Sequence, residues 1–322
     1  MILEIFWLVE YNKPVIFQLI PVFPKEVYFM LTKEEFQNKL QNGIRFLDGA
    51  TGSNLRQAGM PIGVHTEEWV LSNPHVLVEL QRAYQEAGCQ IIYASTFQGQ
   101  PIALQEIGLD RQTEAINAQL VALSRSAAPD CLIAGDLTTL TAFCDSWDPD
   151  NFDLLVENYR RQIHGLIDGG ADLLIAETLM YEQEAEAIMV AADLENAGAT
   201  MYTFTMQPDG SLFSGPDAAN VLKSLEDGGA AAVGFNCATG DMMTPYLVTH
   251  LRKAVNGPLI CKPNAGLPTI GRDGVARYHM TPEEYTALMK SCHRNGGDLL
   301  GGCCGTTPKH MESMIAALSQ EA

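Results

Sequence analysis

Basic residues are scarce in this chain: 20 lysines and arginines stand against 39 aspartates and glutamates, a formal charge of -19 over 322 residues. So acidic a surface repels phosphate backbones and anionic headgroups, which argues against nucleic acid and membranes as partners. Cysteine is sparse as well, at eight (89, 131, 144, 237, 261, 292, 303 and 304). That is too few for a disulfide scaffold at this length and fits a reducing, cytoplasmic setting. Long apolar runs are also lacking. Residues 1–30 are rich in apolar and aromatic side chains, but Glu4, Glu10, Lys13, Pro14, Pro21 and Pro24 interrupt them. With no basic leader or small-residue cleavage site among them, neither a membrane span nor a signal peptide is expected. No low-complexity linker divides the chain. Thr32 followed three residues later by Glu35 has the form of a capping box. One domain is therefore expected over 32–322, with 1–31 an N-terminal extension whose structure the sequence does not specify.

What the chain has instead is a repeated junction. Four times an amphipathic stretch closes on glycine and runs at once into a short apolar segment: Ala87-Gly88-Cys89-Gln90-Ile91-Ile92, Gly169-Gly170-Ala171-Asp172-Leu173-Leu174, Gly228-Gly229-Ala230-Ala231-Ala232-Val233 and Gly296-Gly297-Asp298-Leu299-Leu300. Each reads as a helix C-terminal glycine feeding a buried strand. Further apolar runs at 44–47, 131–134, 201–205 and 258–261 bring the expected strands to eight. Continuous apolar strands alternating with helices indicate a parallel sheet covered on both faces. Eight βα units in about 290 residues suggest an α/β fold of the (β/α)8 TIM-barrel type, with an open doubly wound sheet as the alternative.

In a barrel, chemistry sits where strands end. The expected ends are Asp48-Gly49-Ala50-Thr51-Gly52, Ser95-Thr96-Phe97, Asp136, Glu177-Thr178, Asn236-Cys237, Pro263-Asn264 and Gly302-Cys303-Cys304. Cys237, Cys303 and Cys304 thus share one rim, on the sixth and eighth strands. Thiolates are soft ligands that suit zinc, and three of them leave a fourth tetrahedral position open. Strands two apart lie roughly 10 Å from one another, so their ends must bend inward to share an ion. Neighbouring side chains alternate along a strand, so Cys303 and Cys304 can cooperate only after the chain has left it, which the flanking glycines permit. A vicinal disulfide and a glycine-rich phosphate cradle are the rival readings. Cys89, Cys131, Cys261 and Cys292 read as core filling. His164, His250 and His293 read as surface or packing residues rather than ligands, and His310 follows the cysteine motif closely.

Taken in order, Asp48-Gly49-Ala50-Thr51-Gly52, Gly234-Phe235-Asn236-Cys237, Pro263-Asn264-Ala265-Gly266-Leu267-Pro268 and Gly301-Gly302-Cys303-Cys304-Gly305-Thr306-Thr307-Pro308 resemble the homocysteine S-methyltransferase family, from about residue 34 to about residue 318. The Pro263–Pro268 segment is most similar to the homocysteine-binding module of cobalamin-dependent methionine synthase. The resemblance implies homocysteine as acceptor, methionine as product and zinc on Cys237, Cys303 and Cys304. No Asp-x-His-x-x-Gly cobalamin signature occurs, so a methylcobalamin or other corrinoid donor would be carried by a separate protein. The substrate ammonium is assigned to Asp48 and Glu177, and its carboxylate to backbone donors near Gly49, Ala50 and Thr96. Ser95, Asn236 and Asn264 are expected to support this pocket. On residue type alone Asp48 is equally a turn residue, Glu177 a structural ion-pair partner, and the two asparagines loop holders. Two other functions stay open. One is direct transfer from betaine or S-methylmethionine, with Trp69, Trp147, Tyr181 and Tyr202 as a cage for a cationic donor, although ordinary packing explains those aromatics too. The other is a noncatalytic barrel with structural zinc and a partner-binding rim. Nothing in the sequence specifies an oligomeric state.

Overall fold

The computed structural model describes residues 29–43, 45–238, 240–241, 244–271 and 275–320. The extension expected over 1–31 lies outside them up to residue 28. The strands are β1 (Ile91–Tyr93), β2 (Leu132–Thr138), β3 (Leu173–Leu179), β4 (Thr200–Phe204), β5 (Ala232–Asn236), β6 (Leu259–Lys262), β7 (Thr269–Ile270), β8 (Ala276–Arg277) and β9 (Leu299–Leu300). A curled sheet runs β1-β2-β3-β4-β5-β6-β9, and every pairing in it is parallel.

The sheet has seven strands where eight were expected. At the position of the missing first strand, Phe46 bridges Leu300 and Leu47 bridges Ile91, both in parallel. These two residues touch both edges of the sheet without forming a strand; Ile44, also expected there, is outside the described residues. The reason is local. The Asp48 carboxylate accepts the Tyr93 N–H at 2.8 Å, so a side chain stands where the backbone ladder with β1 would continue. The antiparallel pair β7 and β8 was not among the expected elements.

The helices Pro74–Glu86, Thr113–Ala127, Phe152–Asp168, Glu182–Leu194, Ala218–Asp227, Thr244–Arg252, Pro282–Arg294 and Pro308–Leu318 follow the successive parallel segments. At the four repeated junctions Gly88, Gly170, Gly229 and Gly296 have φ of 98°, 82°, 108° and 108°, a left-handed turn that glycine adopts without a Cβ penalty. No helix among the described residues is long and apolar enough to cross a membrane.

Side-chain parity sorts the strands into two faces. Outward residues such as Ile92, Ile133, Leu174, Tyr202, Phe235 and Leu300 pack against the helices. Inward residues Leu47, Ile91, Tyr93, Ala134, Leu173, Ile175, Met201, Ile260 and Leu299 form a second apolar cluster. Phe36 joins it from the helix Lys33–Gln41, which therefore covers the end of the sheet where the strands begin. The expected capping box starts that helix: Thr32 Oγ1 accepts from Glu35 N at 3.2 Å, and Glu35 Oε2 accepts from Thr32 N at 2.8 Å. Continuing the same parity towards the strand ends brings Asp136, Glu177, Thr203, Asn236 and Lys262 to the inner face. The inside of the sheet is thus apolar at one end and polar at the other.

Close strand packing yields a stability test. A Cβ on Gly234 of β5 would stand 2.1 Å from the Ile260 carbonyl oxygen, whereas one on Gly52 would meet nothing within 4 Å. Gly234→Ala is expected to cost about 3 kcal/mol, the upper end for overpacking, because the obstacle is backbone. Gly52→Ala should stay within about 0.5 kcal/mol of the parent. Urea unfolding of both variants checks this, and equal midpoints would contradict it.

Candidate metal centre

The three cysteines expected to share an ion are brought together. β5 ends at Asn236 and the chain turns at Cys237, whose φ of 51° is left-handed. β9 ends at Leu300, and the chain passes through Gly301 and Gly302 to reach Cys303 and Cys304. The three sulfurs lie within 4.8 Å of one another, with Cys237 Sγ and Cys304 Sγ 3.8 Å apart. A tetrahedral ion with metal–sulfur bonds of about 2.3 Å spaces its sulfurs about 3.8 Å apart. The donor set therefore fits zinc in both chemistry and spacing. Asn264 adds a second sign: its Nδ2 donates to the Cys237 carbonyl at 3.3 Å, while its Oδ1 is buried without a hydrogen-bond partner. An orphaned oxygen on a residue bonded to the backbone of Cys237 suits a cation. All eight cysteines are free thiols in this structure.

Backbone hydrogen bonds hold the loops that carry these residues. Cys237 N donates to Lys262 O at 3.2 Å, Cys303 N to Pro263 O at 2.9 Å and Ala265 N to Cys304 O at 2.9 Å. The loops after β5, β6 and β9 are thereby laced together. Thr306 Oγ1 donates to Cys303 O at 2.8 Å and accepts from Ala50 N at 3.0 Å, which fastens the turn after Asp48 to the cysteine loop. Gly305 has a φ of 83°, and a Cβ there would lie 2.3 Å from the Tyr278 ring, so the loop needs glycine at that point.

Crowding couples the protonation of the thiols. Hydrogen bonds from Cys237 and then Cys303 draw Cys304 down to about 3, and the Tyr278 hydroxyl adds to them. Cys303 is pushed well up by its hydrogen bonds with Cys237 and Cys304 and by burial. The cluster is disposed to carry thiolate charge, which a bound dication would increase.

Beside the sulfurs stands the polar layer of the sheet. The Asn236 amide is fully used: Oδ1 accepts from Thr178 N at 2.7 Å and Thr203 Oγ1 at 3.0 Å, while Nδ2 donates to Glu177 Oε2 at 2.9 Å and Thr178 Oγ1 at 2.8 Å. It fixes the orientation of the half-buried Glu177. Burial lifts Glu177 to about 7, with Asp48 and Cys304 adding to the shift and Lys262 opposing it. Asp136 is raised well above the usual carboxylate range, first by burial and then by Glu177, and its Oδ1 is buried without a partner. Asp48 is buried against Lys262, with Oδ1 2.7 Å from Nζ. Burial opposes the charge on Lys262, but Asp48, Tyr93 and Glu177 outweigh it and raise the lysine.

Several expectations meet corrections. Two of the backbone donors nominated for a substrate carboxylate are committed within the protein: Ala50 N to Thr306 Oγ1, and Thr96 N to Ala94 O at 2.8 Å. The Thr96 hydroxyl donates to Asp136 O at 2.9 Å. Gly49 and Ser95 are buried, and a Cβ on Gly49 would stand 2.6 Å from the Tyr84 hydroxyl, so their place in a substrate pocket belongs to the proposal. The four aromatics form no common cage. Trp147 and Tyr181 pair with centroids 5.3 Å apart, while Trp69 and Tyr202 pack in separate apolar clusters. Four histidines have partners within the protein: Glu195 for His164, Asp217 for His250, Gly297 O for His293 and Met280 O for His310. Lys262 and Tyr278 were not foreseen. The signal for Lys262 is a lone cation closing the apolar run Leu259–Lys262. A cavity of about 430 Å³ at the opposite end of the sheet, lined by Arg45, Arg252, His293 and Asp298 among others, contains none of the expected site residues.

Comparison with known proteins follows this geometry. The family model described as homocysteine S-methyltransferase matches residues 45–318. Methionine synthase of Mycobacterium leprae (strain TN) is 27% identical over 292 residues, covering 85% of this chain and 24% of that protein. Methionine synthase of Mycobacterium tuberculosis (strain ATCC 25618 / H37Rv) is 27% identical over 291 residues, covering 84% and 24%. The chain thus spans about a quarter of the length of these curated relatives. Among solved structures, the metallated form of the homocysteine methyltransferase MmuM from Escherichia coli aligns with a TM-score of 0.74 at 25% identity, over 88% of this chain and 99% of that one.

The raised Glu177 predicts a pH effect. An acid that binds its proton more tightly when folded favours folding fully below its unfolded value of 4.5, and that contribution is lost as pH rises through about 7. Glu177→Gln, which keeps the acceptor for Asn236, should match the parent near pH 4.5. It should exceed the parent by up to ~3 kcal/mol above pH 8. Urea midpoints across this range with EDTA present check it; parallel curves would mean that Glu177 is not destabilised by burial.

Proposed function

The chain belongs to the homocysteine S-methyltransferase family, and on that premise we propose that it transfers a methyl group to the thiol of homocysteine, giving methionine, at a zinc site formed by Cys237, Cys303 and Cys304. The observation that carries this reading is the convergence of three sulfurs within 4.8 Å beside a carboxylate layer that can receive an amino acid. Zinc, when bound, would stabilise the thiolate form of a substrate thiol, which is the nucleophilic form. The chain's own part is positioning. The laced loops hold the sulfurs, Asn236 aims Glu177 at the substrate ammonium, and the apolar cluster below excludes water from the far side. Such fixed geometry brings the acceptor sulfur to the methyl donor in an orientation ready for in-line attack.

A closed (β/α)8 barrel over 32–322 belongs to the same reading, supported by the bridges from Phe46 and Leu47 to both edge strands. We assign the methyl donor to a methyl-corrinoid carried by a separate protein in the reducing cytoplasm. Support comes from the likeness of Pro263–Pro268 and from the two methionine synthases among the relatives. A second reading, direct transfer from betaine or S-methylmethionine, draws on the match to 99% of MmuM, a homocysteine methyltransferase of comparable span.

Two measurements test the proposal. Cys237→Ser, Cys303→Ser and Cys304→Ser should each weaken zinc binding by more than about 100-fold while the far-UV spectrum stays that of the parent; stoichiometric zinc in any one of them would remove that cysteine from the site. Methionine formation should occur with methylcobalamin as donor, and activity confined to betaine or S-methylmethionine would overturn the corrinoid assignment.

A further inference from the structure

The two carboxylates assigned to the substrate ammonium have different partners. Asp48 is 1% exposed and Lys262 2% exposed, and their charged atoms are 2.7 Å apart. The second Asp48 oxygen accepts the Tyr93 N–H at 2.8 Å. Lys262 Nζ also stands 3.5 Å from the centroid of the Tyr93 ring, a cation–π contact that holds the ammonium from another side. Lys262 is the one buried lysine or arginine among the described residues, so Asp48 is already paired with the only buried cation of the layer. Glu177 differs on each count. It is half-buried, its contact with Asn236 is a neutral amide donor at 2.9 Å, and it has no ion-pair partner among the described residues.

We propose that Lys262 is a positioning residue that sequesters Asp48 as an internal ion pair, leaving Glu177 as the anchor for the ammonium of an amino-acid thiol. A substrate ammonium could reach Asp48 only by expelling Lys262 or by lying next to it. The first leaves a buried cation unpaired, and the second sets two like charges side by side where solvent screening is weak. At Glu177 no ion pair has to be broken, because Lys262 contacts Asp48 directly and acts on Glu177 only from a distance, and the incoming ammonium is the direct counter-ion that this carboxylate lacks. The asymmetry also sets a specificity. Removing the substrate amino group should cost only the Glu177 contact, so ω-sulfanyl carboxylates remain ligands of the site.

The inference rests on the homocysteine reading, and the test separates the two. Homocysteine and 4-sulfanylbutanoate, the same skeleton without the amino group, are titrated calorimetrically into the zinc-loaded protein. Glu177→Gln should weaken homocysteine by about 10- to 100-fold and leave 4-sulfanylbutanoate within about twofold. The double variant Asp48→Asn/Lys262→Met removes both charges together, and it should keep the parent's ratio of the two affinities within about threefold. Lys262→Met alone frees the Asp48 carboxylate and should raise the preference for homocysteine about tenfold; should that variant not fold, the double variant still decides. Loss of the preference in the double variant, with Glu177→Gln like the parent, would make Asp48 the anchor and overturn the inference. If neither thiol binds the parent protein, the homocysteine reading itself fails and this one falls with it.

Discussion

One buried carboxylate joins the segments on which the site is built. Asp48 receives the Tyr93 N–H from β1 and the Lys262 ammonium from β6, and its own carbonyl accepts Gly302 N at 2.9 Å from the loop that leads into the cysteines. Three parts of the chain, the farthest of them 254 positions from Asp48 at Gly302, meet on this residue. Removing either charge alone would strand its partner in a dry interior, which is far more costly than never having had the pair. The interaction therefore contributes less to net stability than to specifying where β6 stands relative to the segment that Asp48 ties to β1. Because the cysteine loop hangs from the same carbonyl, that specification carries over to the sulfurs.

Charge sets the second constraint. The chain carries a net -19, and its inner polar layer adds Asp48, Asp136 and Glu177 to three thiols, with Lys262 the one buried lysine or arginine among the described residues. Burial first, and then neighbouring acidic groups, lift Asp136 and Glu177 towards the neutral form, and Cys303 is pushed up while Cys304 is drawn down. One sulfur carries charge at the expense of its neighbours. A cluster of this kind cannot hold three thiolates by itself, and a divalent cation is the simplest group that would let it. On the proposed reading, a substrate ammonium would serve Glu177 in the same way. Metal and amino acid are thus complementary parts of one electrostatic demand.

The sequence made some of this legible and hid the rest for physical reasons. The glycine junctions were readable because a helix end feeding a buried strand imposes a backbone conformation that glycine fills, and all four have the expected positive φ. The cysteines were readable because soft ligands at strand ends have few other uses. The role of Asp48 was not, since its residue type says nothing of a lysine 214 positions away. Nor were the backbone donors: Ala50 N and Thr96 N look available in sequence, but side-chain and local bonds occupy them. The first strand was overestimated because an apolar run was taken to be strand along its length, while Asp48 replaces the ladder after Leu47. The ribbon of β7 and β8 was missed because its residues are exposed, so no burial pattern marks it.

The placement of chemistry at one end of the sheet follows from alternation alone. Each inward side chain near a strand start is apolar, and Phe36 with the partly buried Leu31 and Leu40 covers that end. Beyond the inward residues two to four positions later, Asp136, Glu177, Asn236 and Lys262, no further apolar layer lines the inner face: β5 and β6 stop at Asn236 and Lys262, β2 ends on Thr138, and β3 shifts register between Ala176 and Leu179, which puts Leu179 in the outer cluster. The polar inward residues must bond one another, as Asn236 does with Glu177 and Lys262 with Asp48, or meet what enters from the open end. Asp136 Oδ1 and Asn264 Oδ1 do neither within the protein. Buried acceptors without donors are expensive, so a polar ligand arriving at this end is favoured before any particular contact to it is specified.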